Sequence, residues 1–208
     1  MEQFESLLRV AETLLGPNGC PWDRKQTFFS LQPYVLEEAH EVIEAVDADD
    51  DQKMVEELGD LLYTVVFFGK LGEIKGRFSM SQIIEGIREK LIRRHPHVFG
   101  DLSVKDEEEV IKNWEEIKKQ EKGKGAKERE SDGIPATLHA LGRAQKVARK
   151  MIREDSSQFS DKGGKITEEE VGEKLFHLIA QAERNGIDAE SALRRTLKSV
   201  SFSSPQPE

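Results

Sequence analysis

The chain has 208 residues, and 31 Lys+Arg against 40 Asp+Glu give it a formal net charge of −9. That length can bury a sizeable core as one large domain or two small ones, and the acidic balance argues against non-specific binding to DNA or RNA, which needs a basic footprint. No apolar run approaches the roughly 20 residues of a bilayer span. The start, MEQFESLL, carries acids where a secretory leader carries basic residues. A lone cysteine, Cys20, leaves no internal disulfide and fits a reducing compartment. The expectation is a soluble cytoplasmic protein with neither a nucleic-acid nor a membrane partner.

The dominant period is helical. In Glu2–Leu15, Phe4, Leu7, Leu8, Ala11, Leu14 and Leu15 make one apolar stripe, which Gly16-Pro17 ends. After the turn-rich GPNGCPWD, a helix is predicted from Gln32 to Val46 with Pro33 in its first turn. The acidic stretch Asp47–Asp51 is expected to be a loop that caps a helix over Gln52–Gly72. Ser79 with Gln82 reads as a capping box for a helix to Arg94, stopped by His95-Pro96. Glu107–Glu121 follows, with Val110, Ile111, Trp114 and Ile117 on one side. No segment shows period-two alternation with turn signals, so the fold is predicted to be all-α.

Residues 122–136 are polar, charged and Gly-containing, and read as a linker between a domain over 1–121 and a second over 137–208. In the second, Thr137–Arg153, Thr167–Asn185 and Asp188–Phe202 look helical, and the tail SFSSPQPE should fray. A faint repeat links the halves: EELGDLLY at Glu56–Tyr63 resembles EEVGEKLF at Glu169–Phe176.

Glu37, Glu38 and Glu41 lie on one predicted helix, and Glu57 and Asp60 on the next, written E-E-x-x-E and E-x-x-D. Residues three and four apart are helix neighbours. In an antiparallel hairpin Glu38, Glu41, Glu57 and Asp60 would converge and repel one another unless a cation sat between them. Acidic pairs at this spacing are usually a solvated face. The second helix tilts the choice, because Leu58, Leu61, Leu62, Tyr63, Val65, Val66, Phe67 and Phe68 cover nearly its whole circumference and mark it as buried. Several hard oxygen donors and no soft ones suit Mg²⁺ or Mn²⁺.

Cations follow downstream: Lys90 and Arg94 stand at i and i+4, with Arg93 adjacent. Magnesium with Lys and Arg is the equipment that a polyphosphate calls for, although these residues also suit a helix C-terminus facing the dipole. No G-x-x-x-x-G-K loop is present, so phosphates would be held through metal and side chains. Trp22, in a polar turn with Lys25 and Gln26, is a candidate base contact, whereas Trp114 fits the apolar side of its helix. Lys53 completes the substrate-binding candidates. Cys20 has no neighbouring base and is not expected to be a nucleophile.

The pattern Glu37, Glu38, Glu41, Glu57, Asp60, together with NGCPWDRKQT, EELGDLLYTVVF, GRF and RRHPHVFGD, resembles the MazG family of all-α nucleoside triphosphate pyrophosphohydrolases over most of residues 1–121. The resemblance implies a helical bundle completed by dimerisation, as a homodimer or higher homo-oligomer. It also implies Mg²⁺-dependent cleavage of a nucleoside triphosphate between its α- and β-phosphates, with Mn²⁺ as substitute. Glu38, Glu41, Glu57 and Asp60 would be the metal ligands, Lys90 and Arg94 the triphosphate contacts, and Trp114 an aromatic nucleotide contact. Glu37 is a candidate to orient or deprotonate the attacking water. The stripe of Glu2–Leu15 is compatible with assembly. Glu170 and Glu173 remain in the second copy, but no acidic helix precedes them, so that copy reads as catalytically dead. Two rivals stand beside this reading. One is a di-iron bundle using Glu37-x-x-His40, for which no second E-x-x-H exists. The other is a catalytically silent nucleotide-sensing module.

Overall fold

The computed structural model describes residues 2–121, 134–135, 137–154 and 165–200. The greater part of the expected linker, the tail from residue 201 onward and residues 155–164 lie outside the described residues. Among those described, every regular element is helical. The chain divides into two compact units, Met1–Lys122 and Gly123–Glu208.

The first unit comprises α1 (Glu2–Leu15), a single 3-10 turn (Asp23–Lys25), α2 (Gln32–Asp47), α3 (Asp51–Ile74), α4 (Met80–Arg94), α5 (Pro96–Phe99) and α6 (Glu107–Glu121). Local chemistry sets most of the boundaries. The three residues Ala48–Asp50 join α2 to α3. Asp49 takes φ 52°, a left-handed conformation that Asp tolerates better than most side chains. Asp50 then caps α3, its side chain accepting from Lys53 N at 3.0 Å. Ser79 and Gln82 form the predicted capping box of α4. His95-Pro96 does stop α4, but the chain re-enters a one-turn helix at once, because proline is well suited to the first helical position.

α3 organises the unit. Ala11 of α1, Val66 of α3 and Met80 of α4 form one buried cluster, flanked by Phe4, Leu7, Leu8, Tyr63 and Ile83. Leu31, Phe67 and Leu71 form a second, flanked by Leu15, Phe28, Tyr34, Tyr63 and Phe68. The α1 stripe is thus spent on α3 of its own chain and is not the free face that assembly would need. α3 also differs from the expected all-round buried helix. Leu58, Leu62 and Val65, one stripe at i, i+4 and i+7, are 52%, 43% and 41% exposed, because α1 and α4 cover only the Val66 side.

Lys70 is buried on α3 and is neutralised by Glu12 at 2.5 Å and Glu73 at 3.1 Å, which ties α1 to α3. Burial alone would lower its pKa, but the hydrogen bonds that Lys70 donates to Glu12 and Glu73 outweigh that and raise it. Glu73 also accepts from Met80 N at 2.9 Å, fixing the entry to α4.

The second unit comprises α7 (Ala140–Glu154), α8 (Glu168–Arg184) and α9 (Ala189–Ser199). α9 packs against both α7 and α8, and Glu190 accepts from Ala140 N at 2.6 Å. α7 begins three residues later than predicted, since residues 137–139 form a turn whose Leu138 N donates to Pro135 O at 3.2 Å.

Close helix approach gives a stability test. A Cβ on Gly72 would lie 2.5 Å from the Phe78 ring and 2.8 Å from its backbone oxygen, whereas one on Gly86 would meet nothing within 4 Å. Gly72→Ala should therefore destabilise by about 1–3 kcal/mol through overpacking. Gly86→Ala should stabilise by up to about 1 kcal/mol through helix propensity. Urea denaturation of the two variants should show opposite signs.

Candidate active site

The short α2–α3 connection places the two acidic motifs on facing helices. Glu38 and Glu41 are half-buried, Glu57 is 8% exposed, and one carboxylate oxygen from each lies within 4.8 Å of the other two. They are the only group of three or more potential ligands so arranged among the described residues. Asp60 and Glu37 are exposed and stand outside that triad. Both nonetheless act on it: Glu38 is pushed up first by burial, then by the charges of Asp60, Glu41, Glu37 and Glu57. Glu57 is likewise pushed up by burial and then by Glu41, while the charge of Lys53 opposes the rise.

This donor set fits a hard divalent cation. Three carboxylates converge, burial and like charge make Glu38 and Glu57 harder to ionise, and a cation between them would remove both the repulsion and the desolvation cost. His40 is exposed and is not among the converging ligands, so the Glu37-x-x-His40 arrangement is not assembled.

The remaining candidates are distributed around the first unit. Lys53 forms an ion pair with Glu44 at 3.6 Å. Trp22 is 52% exposed and meets Tyr34 edge-on, with ring centroids 5.9 Å apart. Gln26 braces that turn, donating to Trp22 O at 3.1 Å and accepting from Ser30 Oγ at 2.7 Å. Lys25 and Lys90 are exposed. Trp114 meets the His95 ring edge-on at 5.1 Å, and its indole Nε1 is buried without a hydrogen-bond partner.

Arg93 and Arg94, expected to face substrate, both hold Glu121 at the end of α6, at 2.7 and 2.5 Å. Sequence reasoning did not find Glu121. It lies 27 residues beyond Arg94, and no local pattern announces a pairing at that separation.

In the second unit, the Glu170 carboxylate accepts from Thr167 N at 3.0 Å, and Glu170 N donates in return to Thr167 Oγ1 at 3.2 Å. The residue that looks like a remnant ligand is a helix cap, which the spacing Thr167-x-x-Glu170 signals by itself.

The repulsion in the triad has a measurable sign. A carboxyl whose folded pKa lies above its unfolded value carries a cost that is absent at low pH and fully present above the folded pKa. In chelator at neutral pH, Glu57→Gln should therefore raise the melting temperature by about 2–4 °C. The gap should close as pH falls through the carboxylate range, as followed by circular dichroism.

A family model described as the MazG nucleotide pyrophosphohydrolase domain matches residues 26–99. The chain is 38% identical to the nucleoside triphosphate pyrophosphohydrolase of Escherichia coli, covering 94% of this chain and 83% of that protein. It is 39% identical to the nucleoside triphosphate pyrophosphohydrolase/pyrophosphatase MazG of Thermotoga maritima, covering 94% and 81%. An uncharacterized Bacillus subtilis protein, YabN, is 47% identical over 70% of this chain, which spans only 29% of that longer protein. With near-full-length relatives at this identity and the acidic motifs brought together by α2 and α3, the chain belongs to the MazG nucleotide pyrophosphohydrolase family.

Proposed function

We propose that the protein hydrolyses nucleoside triphosphates, or their deoxy and non-canonical counterparts, to nucleoside monophosphate and pyrophosphate as a housekeeping activity on the cytoplasmic nucleotide pool. The observation that carries this reading is the convergence of Glu38, Glu41 and Glu57 within 4.8 Å at a half-buried position. With Asp60 they would hold Mg²⁺, for which Mn²⁺ can substitute. The metal supplies charge neutralisation, a more acidic bound water and stabilisation of the pyrophosphate leaving group.

The chain's own residues do the rest. Glu37, exposed beside the triad, takes the proton of the attacking water. That water's oxygen bonds to the α-phosphorus as the bond to the bridging oxygen breaks. Lys90 and Arg94, with Arg93 beside them, orient and neutralise the β- and γ-phosphates. Trp114 and Trp22 offer flat surfaces to the nucleoside, with Lys25, Gln26 and Lys53 as polar contacts around it.

The fold supports a second element of the proposal, a homodimer or higher assembly. Besides the Leu58–Val65 stripe on α3, Val35, Leu36, Ile43 and Val46 on α2 are 37–65% exposed. So much apolar area on two adjacent helices calls for a partner surface.

Hydrolysis in H₂¹⁸O tests the reaction. With Mg²⁺, the label should appear in the monophosphate, with pyrophosphate equimolar and unlabelled; label in pyrophosphate would place the attack on the β-phosphorus. Glu41→Gln should reduce turnover at least 100-fold while preserving the helical circular-dichroism spectrum. Binding of nucleotide without turnover in the unaltered protein would favour the silent sensor. For the assembly, Leu62→Glu should shift the sedimentation mass to that of the monomer; an unchanged mass would remove the α3 stripe from the interface.

A further inference from the structure

The arginines at the end of α4 are occupied in the folded chain. Arg93 Nε donates to Glu121 Oε1 at 2.8 Å, and Arg94 donates through Nε to the same oxygen at 3.3 Å and through a terminal nitrogen to Oε2 at 2.5 Å. Both carboxylate oxygens are thereby engaged. Hydrogen bonds first from Arg94 and then from Arg93 hold the Glu121 carboxyl down at about 2. Yet the contact is not sealed: the side chains of Arg93, Arg94 and Glu121 are 53%, 26% and 22% exposed. Glu121 is the last of the described residues of α6.

A planar guanidinium fork accepts a phosphate as readily as a carboxylate, and a polyphosphate brings several charges where Glu121 brings one. We propose that Glu121 is a displaceable stand-in for the substrate's phosphates. In the free protein it occupies Arg93 and Arg94, and an incoming polyphosphate displaces it and releases the C-terminal end of α6. This rests on the reading of the α4 arginines as phosphate contacts. Trp114 lies seven residues, about two turns, before Glu121 on the same helix face. Arrival of phosphates at α4 is thereby coupled to the anchoring of the helix that carries a nucleoside contact.

The test uses the full chain and inorganic triphosphate, with Mg²⁺ present, read by titration calorimetry. Glu121→Gln, which keeps the shape and removes the charge, should bind triphosphate about 3–10-fold more tightly and lower KM for a nucleoside triphosphate similarly with kcat little changed. Glu121→Asp should stay near the parent protein. Equal or weaker binding by Glu121→Gln overturns the proposal, since a residue that positioned the arginines would weaken binding when neutralised. A measurement on the unaltered chain guards against a damaged variant. Triphosphate should speed amide hydrogen exchange in the last turn of α6, and unchanged or slower exchange overturns the proposal. Neither readout needs turnover, so tighter triphosphate binding without any hydrolysis would sink the enzymatic reading and leave the Glu121 contact standing.

Discussion

Three carboxylates within 4.8 Å of one another at a half-buried position oppose the pairing of the helices that carry them. The α2–α3 hairpin must therefore be held together from elsewhere. Ala45, fully buried near the connection, lets the backbones approach there. At the far end of α3, Phe67 and Leu71 pack with Leu31, just before α2 begins. The acidic mouth of the hairpin sits between these two anchored ends, so the repulsion is a local cost within a frame that apolar packing has already set. Such a frame can keep ligands close together before any cation arrives, which is the preorganisation that a metal centre requires.

α3 meets three different demands along its length. Its first turns carry Glu57 and Asp60, its middle supplies Val66 and Phe67 to the core, and its end buries Lys70 between Glu12 and Glu73. The two charged regions are handled in opposite ways. Lys70 is fully compensated by its carboxylates and acts as a clasp between α1 and α3. Glu57 has the charge of Lys53, one turn earlier on α3, to set against its burial and its acidic neighbours. A buried charge that the fold itself neutralises serves stability, and one left uncompensated is the place to look for chemistry.

Charge of the opposite sign gathers at the end of α4, where Arg93 and Arg94 both hold Glu121 and the charge of Glu115 also acts on Arg94. The two clusters present charge of opposite sign, guanidinium donors on α4 and carboxylate acceptors on α2 and α3. A magnesium nucleotide carries both complements, the metal for the carboxylates and the phosphates for the arginines. The first unit carries both kinds of charged cluster, and the reading of a polyphosphate site draws on the two together rather than on either alone.

Much of this was legible in the sequence. Helical periodicity and capping residues are local properties, and α1, α4 and α6 occur at or within a residue of their predicted bounds. The acidic motifs were legible because their i, i+3 spacing fixes one face of each helix. What escaped were properties that depend on partners distant in the chain. The apolar circumference of α3 suggested burial on all sides, but only the positions of α1, α2 and α4 decide which side stays exposed, and it is the Leu58–Val65 stripe. The cap formed by Thr167 and Glu170 is a different case, a local i, i+3 pattern that the resemblance of EEVGEKLF to EELGDLLY overshadowed. Sequence by itself determined helix placement, the acidic motifs and the family, because these rest on spacings within a turn or two. Tertiary structure alone decided that Glu38, Glu41 and Glu57 meet while Asp60 stands outside them, and that Arg93 and Arg94 close on Glu121. Electrostatic pairing acts through space, and the chain between the partners carries no record of it.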